Sequence, residues 1–199
     1  MTRFPKIILP LLAVLLLAGS CRTVKELKAL SKCQFRIASV GNTNLAGVNV
    51  QNIRSISDLS LAEGARISSA YMGGNLPLTF TLNVQVKNPN AELAALNRLE
   101  WIALFDNIEL LNGVVNQRVA VEPNGGVATI PLNVSCNLRK VLSKLQKDKV
   151  LSSPFELADE RTQPRRVSLK LKPSSTVGKK GRSIPYPGYI TVKKDFTAK

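Results

Sequence analysis

The chain of 199 residues contains no histidine. That absence removes Ser-His-Asp and Cys-His triads, histidine general bases and histidine-ligated metal sites. Cysteine is scarce: Cys21, Cys33 and Cys136 are too few and too widely spaced for a zinc cluster, so no metal is expected. Acids are sparse, 13 against 28 lysines and arginines. Glu92, Glu100, Asp106, Glu109 and Glu122 lie scattered, without the pairing that acid–base work needs. Aromatics make up only 5%, and neither a recognition helix nor an aromatic–basic RNA motif is visible, so no nucleic acid partner is expected. The glycines at 73–74 and 125–126 fall where turns are wanted, and neither pair opens a phosphate-cradling loop. These gaps point away from an enzyme and from any cofactor.

What is present is a globular composition, 44% hydrophobic, with a formal charge of +15. Residues 161–199 hold 11 basic residues and one acid, Asp195. Such a surface attracts anions. Outside the cytoplasm these would be anionic lipid or envelope polysaccharide, although a basic face also serves solubility alone.

Export is the reading of the amino terminus. Arg3 and Lys6 precede an apolar run, Ile7 to Ala18, of 12 residues; roughly 20 are needed to span a bilayer as a helix, so 1–20 read as a removable signal peptide. The run ends in Leu17-Ala18-Gly19-Ser20-Cys21, which resembles the lipobox of bacterial lipoproteins. The resemblance implies that Cys21 receives a diacylglycerol, that the peptide before it is cut, and that the new amino terminus is acylated (palmitate being such a chain). Leu17 stands one place further back than the usual lipobox leucine, and Ala18-Gly19-Ser20 also fits ordinary signal-peptidase cleavage. Lipidation would leave residues 21–32 as a short polar tether and 33–199 as the domain. Glu26 is the only acid just after Cys21, so the expected location is the periplasmic face of the outer membrane.

The mature chain alternates with period two, the mark of half-buried strands. Leu78, Phe80, Leu82, Val84 and Val86 are apolar, and Thr79, Thr81, Asn83, Gln85 and Lys87 between them are polar. Asn88-Pro89-Asn90 stops that strand, since proline cannot donate to a ladder and asparagine favours turns. Further strands are predicted around Cys33–Ile37, Leu45–Val50 (with Gly47 as a bulge), Leu99–Phe105, Val115–Val121, Ala128–Cys136, Val167–Leu171 and Ile190–Val192. Asp106-Asn107, Asn112-Gly113 and 123–126 read as turns, and 173–188 as a loop. Helical turns are expected in 56–72, capped by Ser57 or Asp58. A helix should follow Asn137, with Leu138, Val141, Leu142 and Leu145 on its core face; that basic amphipathic helix could instead lie on a membrane. Trp101 reads as a core anchor.

From Leu78 to about Leu138 the sequence is similar to the late-embryogenesis-abundant type 2, or WHy (water stress and hypersensitive response), family. The carrying features are the strand closed by Asn88-Pro89-Asn90, the Leu99–Phe105 strand with its hairpin, Gly113 opening the next strand, and the 123–126 turn into Ile130-Pro131-Leu132. The resemblance implies an all-β, immunoglobulin- or fibronectin-III-like antiparallel sandwich of about seven strands with one or two short helices. It also implies a non-enzymatic role in stress (desiccation) tolerance and supplies no catalytic residues. Asn88, Pro89 and Asn90 are read as a structural turn. Cys33 and Cys136, both in phase with apolar faces, are either a disulfide or two reduced small hydrophobes. Two other functions stay open: a carrier of lipid or another hydrophobic ligand between the sheets, and an adaptor whose basic carboxy-terminal part docks an anionic envelope partner.

Overall fold

The computed structural model describes residues 24–147, 165–177 and 182–196. The leader and Cys21 lie outside the described residues. The described residues open with helix α1 (24–29) and a 3-10 turn, Leu30–Lys32, then strands β1 (Gln34–Leu45) and β2 (Val48–Asn49). A second 3-10 turn, Ile56–Asp58, and helix α2 (Leu61–Met72) precede β3 (Pro77–Lys87). There follow β4 (Ala94–Leu96), β5 (Arg98–Phe105), β6 (Ile108–Val115), β7 (Val119–Val121), β8 (Val127–Asn137) and helix α3 (Leu138–Lys147). The chain closes with β9 (Arg165–Val177), β10 (Arg182–Pro185) and β11 (Ile190–Phe196). Among the described residues no helix is long and apolar enough to cross a membrane.

The architecture is an all-β antiparallel sandwich. One sheet has the order β2-β1-β3-β8. The other has the order β10-β9-β5-β6, with β11 also on β9, and β4 and β7 form a separate ribbon. Discounting β2, β4, β7 and β10, which are four residues or shorter, seven long strands carry the fold among the described residues. The alternation dictates the layers. Val84 and Val86 of β3 and Ile130 and Leu132 of β8 are fully buried, as are Leu99 of β5 and Leu169 and Leu171 of β9. Each such side chain removed from water contributes roughly 1.5–3 kcal/mol. Along one flank Leu145 of α3 is buried and Leu138, Val141 and Leu142 are half-buried.

Several elements depart from the pattern reading. The Gly47 bulge is instead a two-residue turn: Ala46 (φ 51) and Gly47 (φ 76) join β1 to β2, a left-handed pair suited to a tight hairpin. The bulges lie in β1 itself, between Ile37 and Ser39 and between Gly41 and Asn44. Helix α2 is capped by Ser60 and the preceding turn by Ser55, not by Ser57 or Asp58. Asn112-Gly113 is no turn. Both residues lie inside β6, Gly113 opposite Trp101. A Cβ at Gly113 would meet Trp101 Cζ2 at 2.5 Å, so the indole takes the space a side chain would need. Val119 and Val121 do not continue the Val115 strand; they form β7, against the unforeseen β4. The 173–188 segment is not a plain loop either, since β9 runs on to Val177 and Arg182–Pro185 pairs back onto it. Asp106 (φ 46) and Asn107 (φ 70) do form the expected hairpin turn.

The largest correction concerns residues 24–32, expected as a tether. Leu27, Ala29 and Leu30 belong to the hydrophobic core, Leu30 with 1% of its surface exposed. Buried Glu26 pairs with Arg118 at 3.4 Å. The folded body therefore begins by residue 24.

Candidate functional site

Strand register divides the molecule into two ends. Gln34 faces Lys87 and Leu45 faces Leu78 on β1–β3, while Lys87 faces Val127 and Pro77 faces Asn137 on β3–β8. The end at Lys87 and Val127 carries α1 and the β4–β7 ribbon; we call it proximal, being next to Cys21 in sequence. The end at Pro77 and Asn137 carries α2, the start of α3 and the 106–107 turn; we call it distal. Eleven residues of β3 separate the two ends, which at about 3.3 Å per residue is roughly 35 Å.

At the proximal end Asn88-Pro89-Asn90 closes β3. Asn88 is fully buried. Its Nδ2 donates to the carbonyls of Glu92 at 2.9 Å and Val121 at 3.0 Å. Its Oδ1 accepts from Asn90 N at 3.0 Å and Asn90 Nδ2 at 2.7 Å. Its backbone N–H donates to Gly126 O and its carbonyl accepts from Gly125 N. Asn90 Nδ2 also donates to Ala29 O at 3.0 Å, which ties α1 into the same knot. Every donor and acceptor of the Asn88 amide is thus used inside the fold. The tripeptide joins four chain segments and has no polar group left for a ligand at Asn88. Gly126 belongs to the same turn, where a Cβ would sit 2.3 Å from Glu122 O.

The two cysteines do not meet. Cys33 precedes Gln34 at the proximal end and Cys136 faces Leu78 at the distal end. Both are free thiols, so the disulfide alternative is set aside. Burial raises the Cys33 thiol to about 11 and raises that of Cys136 as well; Cys33 Sγ donates to Ala29 O at 3.6 Å. Neither is disposed to act as a nucleophile near neutral pH, since the thiolate is the reactive form. Among the described residues no three acids or cysteines gather where a metal could be held. Trp101, 4% exposed, is packed in the core.

The distal end has different chemistry. Helix α2 starts in a capping box: Ser60 Oγ accepts from Glu63 N at 3.3 Å, and Glu63 Oε2 accepts from Ser60 N at 2.9 Å. The same Ser60 bonds hold the Glu63 carboxyl below its ordinary value. The 3-10 turn before it is closed likewise, with Asp58 Oδ2 accepting from Ser55 N at 3.0 Å. These local bonds are needed, because α2 has no buried residue. Leu61 is 92% exposed, Ile56 87% and Met72 74%. Leu61, Ala65, Ser68 and Met72 recur at helical spacing and share one open face.

Helix α2 is fixed to the body at its carboxyl end. The Arg139 guanidinium lies 5.2 Å from the Tyr71 ring centroid, and its Nη1 donates to Tyr71 O at 2.8 Å. Asn137 caps α3 through Arg139 N at 3.1 Å, accepts from Leu76 N, and donates to Gly74 O at 3.1 Å. Between Gly74 and α3 lies a groove of about 420 Å³ edged by Arg139, Lys140, Lys144 and Lys147. Lys144 Nζ also donates to Glu109 O. The groove gathers four cations, so it can hold anions. Sequence reading had put the docking charge at the carboxy terminus. There, Lys172 stacks on Tyr189 at 5.6 Å. Arg139 and the exposure of α2 were not foreseen; the signal available was a helical segment whose apolar positions are filled by Ala62, Gly64 and Ala65. A second, larger groove of about 730 Å³ lies near Phe35, Arg36, Gln85 and Lys87 at the proximal end, where Arg36 Nε donates to Gln85 Oε1 at 2.6 Å.

No family model matches the chain, and no curated protein does. Similar solved structures include the following two. A protein from Archaeoglobus fulgidus shares 13% identity over 62% of this chain and 86% of its own, with a TM-score of 0.35. A candidate late embryogenesis abundant (LEA) protein, solved in solution, shares 11% over 95% of this chain and 86% of its own, also at 0.35. Overlaps of that size leave fold and site to be argued from this chain's own residues.

Proposed function

We propose that the protein is a non-enzymatic envelope lipoprotein, held by acyl chains on Cys21 to the periplasmic face of the outer membrane, whose sandwich protects or organises the envelope under water stress. The observation that carries this reading is the docking of residues 24–30 into the core directly after the lipobox-like cysteine. With Cys21 three positions before the first described residue of α1, an anchor there would seat the proximal end against the bilayer. Several acyl chains hold a protein durably, at ~0.8 kcal/mol per buried methylene. The stress role rests on the resemblance of the strand closed by Asn88-Pro89-Asn90 to late-embryogenesis-abundant type 2 proteins.

Metabolic labelling with a fatty acid should mark the wild-type chain and leave Cys21→Ala unlabelled; label on both would remove the anchor. Unchanged survival of a deletion strain after drying or osmotic shock would remove the stress role. The distal groove favours one second reading, an adaptor for an anionic envelope partner, with its charge in α3. That reading predicts binding that weakens as salt rises.

A further inference from the structure

The adaptor reading leaves its partner unspecified, and the chemistry of the distal end narrows it. Cations at this end include Arg54, Arg66, Arg139, Lys140, Lys144 and Lys147. The described acids there are Asp58, Glu63, Asp106 and Glu109; Asp58 and Glu63 are turned onto the backbone N–H groups of Ser55 and Ser60 in the two capping boxes, and Glu109 Oε1 accepts from Asn112 Nδ2 at 2.9 Å. Beside the cations stand Ile56, Leu61, Tyr71 and Met72, large apolar side chains exposed from 47% to 92%. Tyr71 touches Arg139, so apolar helix and basic groove form one continuous surface. A polysaccharide or a free phosphate would use the cations and would gain little from exposed Leu61 and Met72. An anionic bilayer uses both, attracting lysine and arginine to its head groups and accepting apolar side chains at the acyl boundary.

We infer that the distal end is a docking surface for an anionic phospholipid bilayer, with the α2 face of Leu61 and Met72 entering the acyl boundary and the α3 groove holding head-group phosphates. This rests on the adaptor reading and goes beyond it in naming the partner. Because α1, whose described residues begin three positions after Cys21, lies at the opposite end, about 35 Å away along β3, a chain anchored through Cys21 presents this surface to a different membrane. The protein then bridges two bilayers.

The test reconstitutes the full exported chain into neutral phosphatidylcholine vesicles and adds a second population containing phosphatidylglycerol. Flotation with the first population reads the anchor; tethering of the second, by energy transfer between dyes in the two membranes, reads the docking surface. Tethering should require phosphatidylglycerol and vanish at high salt. Lys140→Glu/Lys144→Glu/Lys147→Glu should weaken it roughly a hundredfold, each basic side chain near an anionic surface being worth about fivefold. Leu61→Ser/Met72→Ser should weaken it at least about tenfold, through lost apolar insertion. Equal tethering of neutral and anionic vesicles overturns the proposal. So does full binding by Leu61→Ser/Met72→Ser, since charge alone then suffices and the partner is a soluble polyanion or acidic protein. A chain that does not float with neutral vesicles sinks the Cys21 anchor instead, and its flotation with phosphatidylglycerol vesicles still reads docking directly. The lipid and salt arms use the unaltered chain, so they decide even where a variant misfolds.

Discussion

The proximal and distal ends solve the same problem, how to finish a sandwich, in opposite ways. At the proximal end polar groups are buried and saturated. Asn88 is wholly enclosed, α1 fills a gap in the core, and Glu26 is covered beside Arg118. At the distal end polar groups are used locally and apolar groups are left outside, with Ser55 and Ser60 holding helical turns that bury nothing. Buried polar bonding is concentrated at the end next to Cys21 in sequence, and exposed large apolar side chains are concentrated at the opposite end. Local opening should follow the same division, because an element with few buried contacts opens at low free-energy cost.

The sharpest way to break this contrast is at Asn88. Asn88→Ala should destabilise by about 3 kcal/mol or more, since buried carbonyls left unpaired cost roughly 1–3 kcal/mol each. A denaturation midpoint equal to wild type would show that the knot does not hold the proximal end. Leu30→Ala comes next, at roughly 2–5 kcal/mol for a buried leucine, read by urea unfolding. A tether would lose nothing from the same change. Gly113→Ala tests the body between the ends: its Cβ must displace the Trp101 ring, an overpacking cost of about 1–3 kcal/mol, visible as a change in tryptophan fluorescence along with stability. At the distal end Leu61→Ser should shift stability by less than about 0.5 kcal/mol, as exposed substitutions do. A larger loss would mean that α2 is covered after all.

The smallest effects concern pH. The Cys33 thiol is raised to about 11 from an ordinary 9.0. An unfolded thiol ionises from about pH 9 while the folded one stays neutral, so stability declines between pH 9 and 11. Cys33→Ala should remove that part of the decline in thermal melts across the range. Glu63 runs in the opposite direction. Its folded pKa is lowered by Ser60, so its capping is intact above its ordinary value and is lost as pH falls through the folded one. Far-ultraviolet circular dichroism at acid pH should show α2 fraying in wild type, and the same signal already at neutral pH in Glu63→Ala.

Legibility followed the length of each pattern. β3 and β8 were readable because ten or so residues alternate without a break, and the Asp106-Asn107 hairpin because flanking strands framed it. The same logic misled at Asn112-Gly113, where turn-forming residues sit inside a strand because Trp101 needs a gap. β4 was invisible: Ala94-Ala95-Leu96 is too short to show a period. Residues 24–32 looked like a tether because lysines crowd them, yet Leu27 and Leu30 stand three apart, the spacing of one helical face. Pro173 and Pro185 concealed β9 and β10, whose register depends on partners distant in sequence. At the distal end the Asn137 cap was evident from its position before Leu138. The Arg139–Tyr71 contact joins residues far apart in the chain, and no local rule reports it.

The way α2 is inserted gives it a property of its own. Leu45 and Leu78 face each other across the β1–β3 ladder, and Ala46 N donates to Pro77 O at 2.8 Å. The whole excursion from 46 to 77, β2 included, therefore leaves and rejoins the β1–β3 ladder at one point. A two-residue hairpin connection could span the same gap with the ladder unchanged, which makes the helix a detachable cassette. It can be shortened, exchanged or grafted while β1 and β3 remain partners, so the surface it carries is free to diversify at a different pace from the sandwich that displays it.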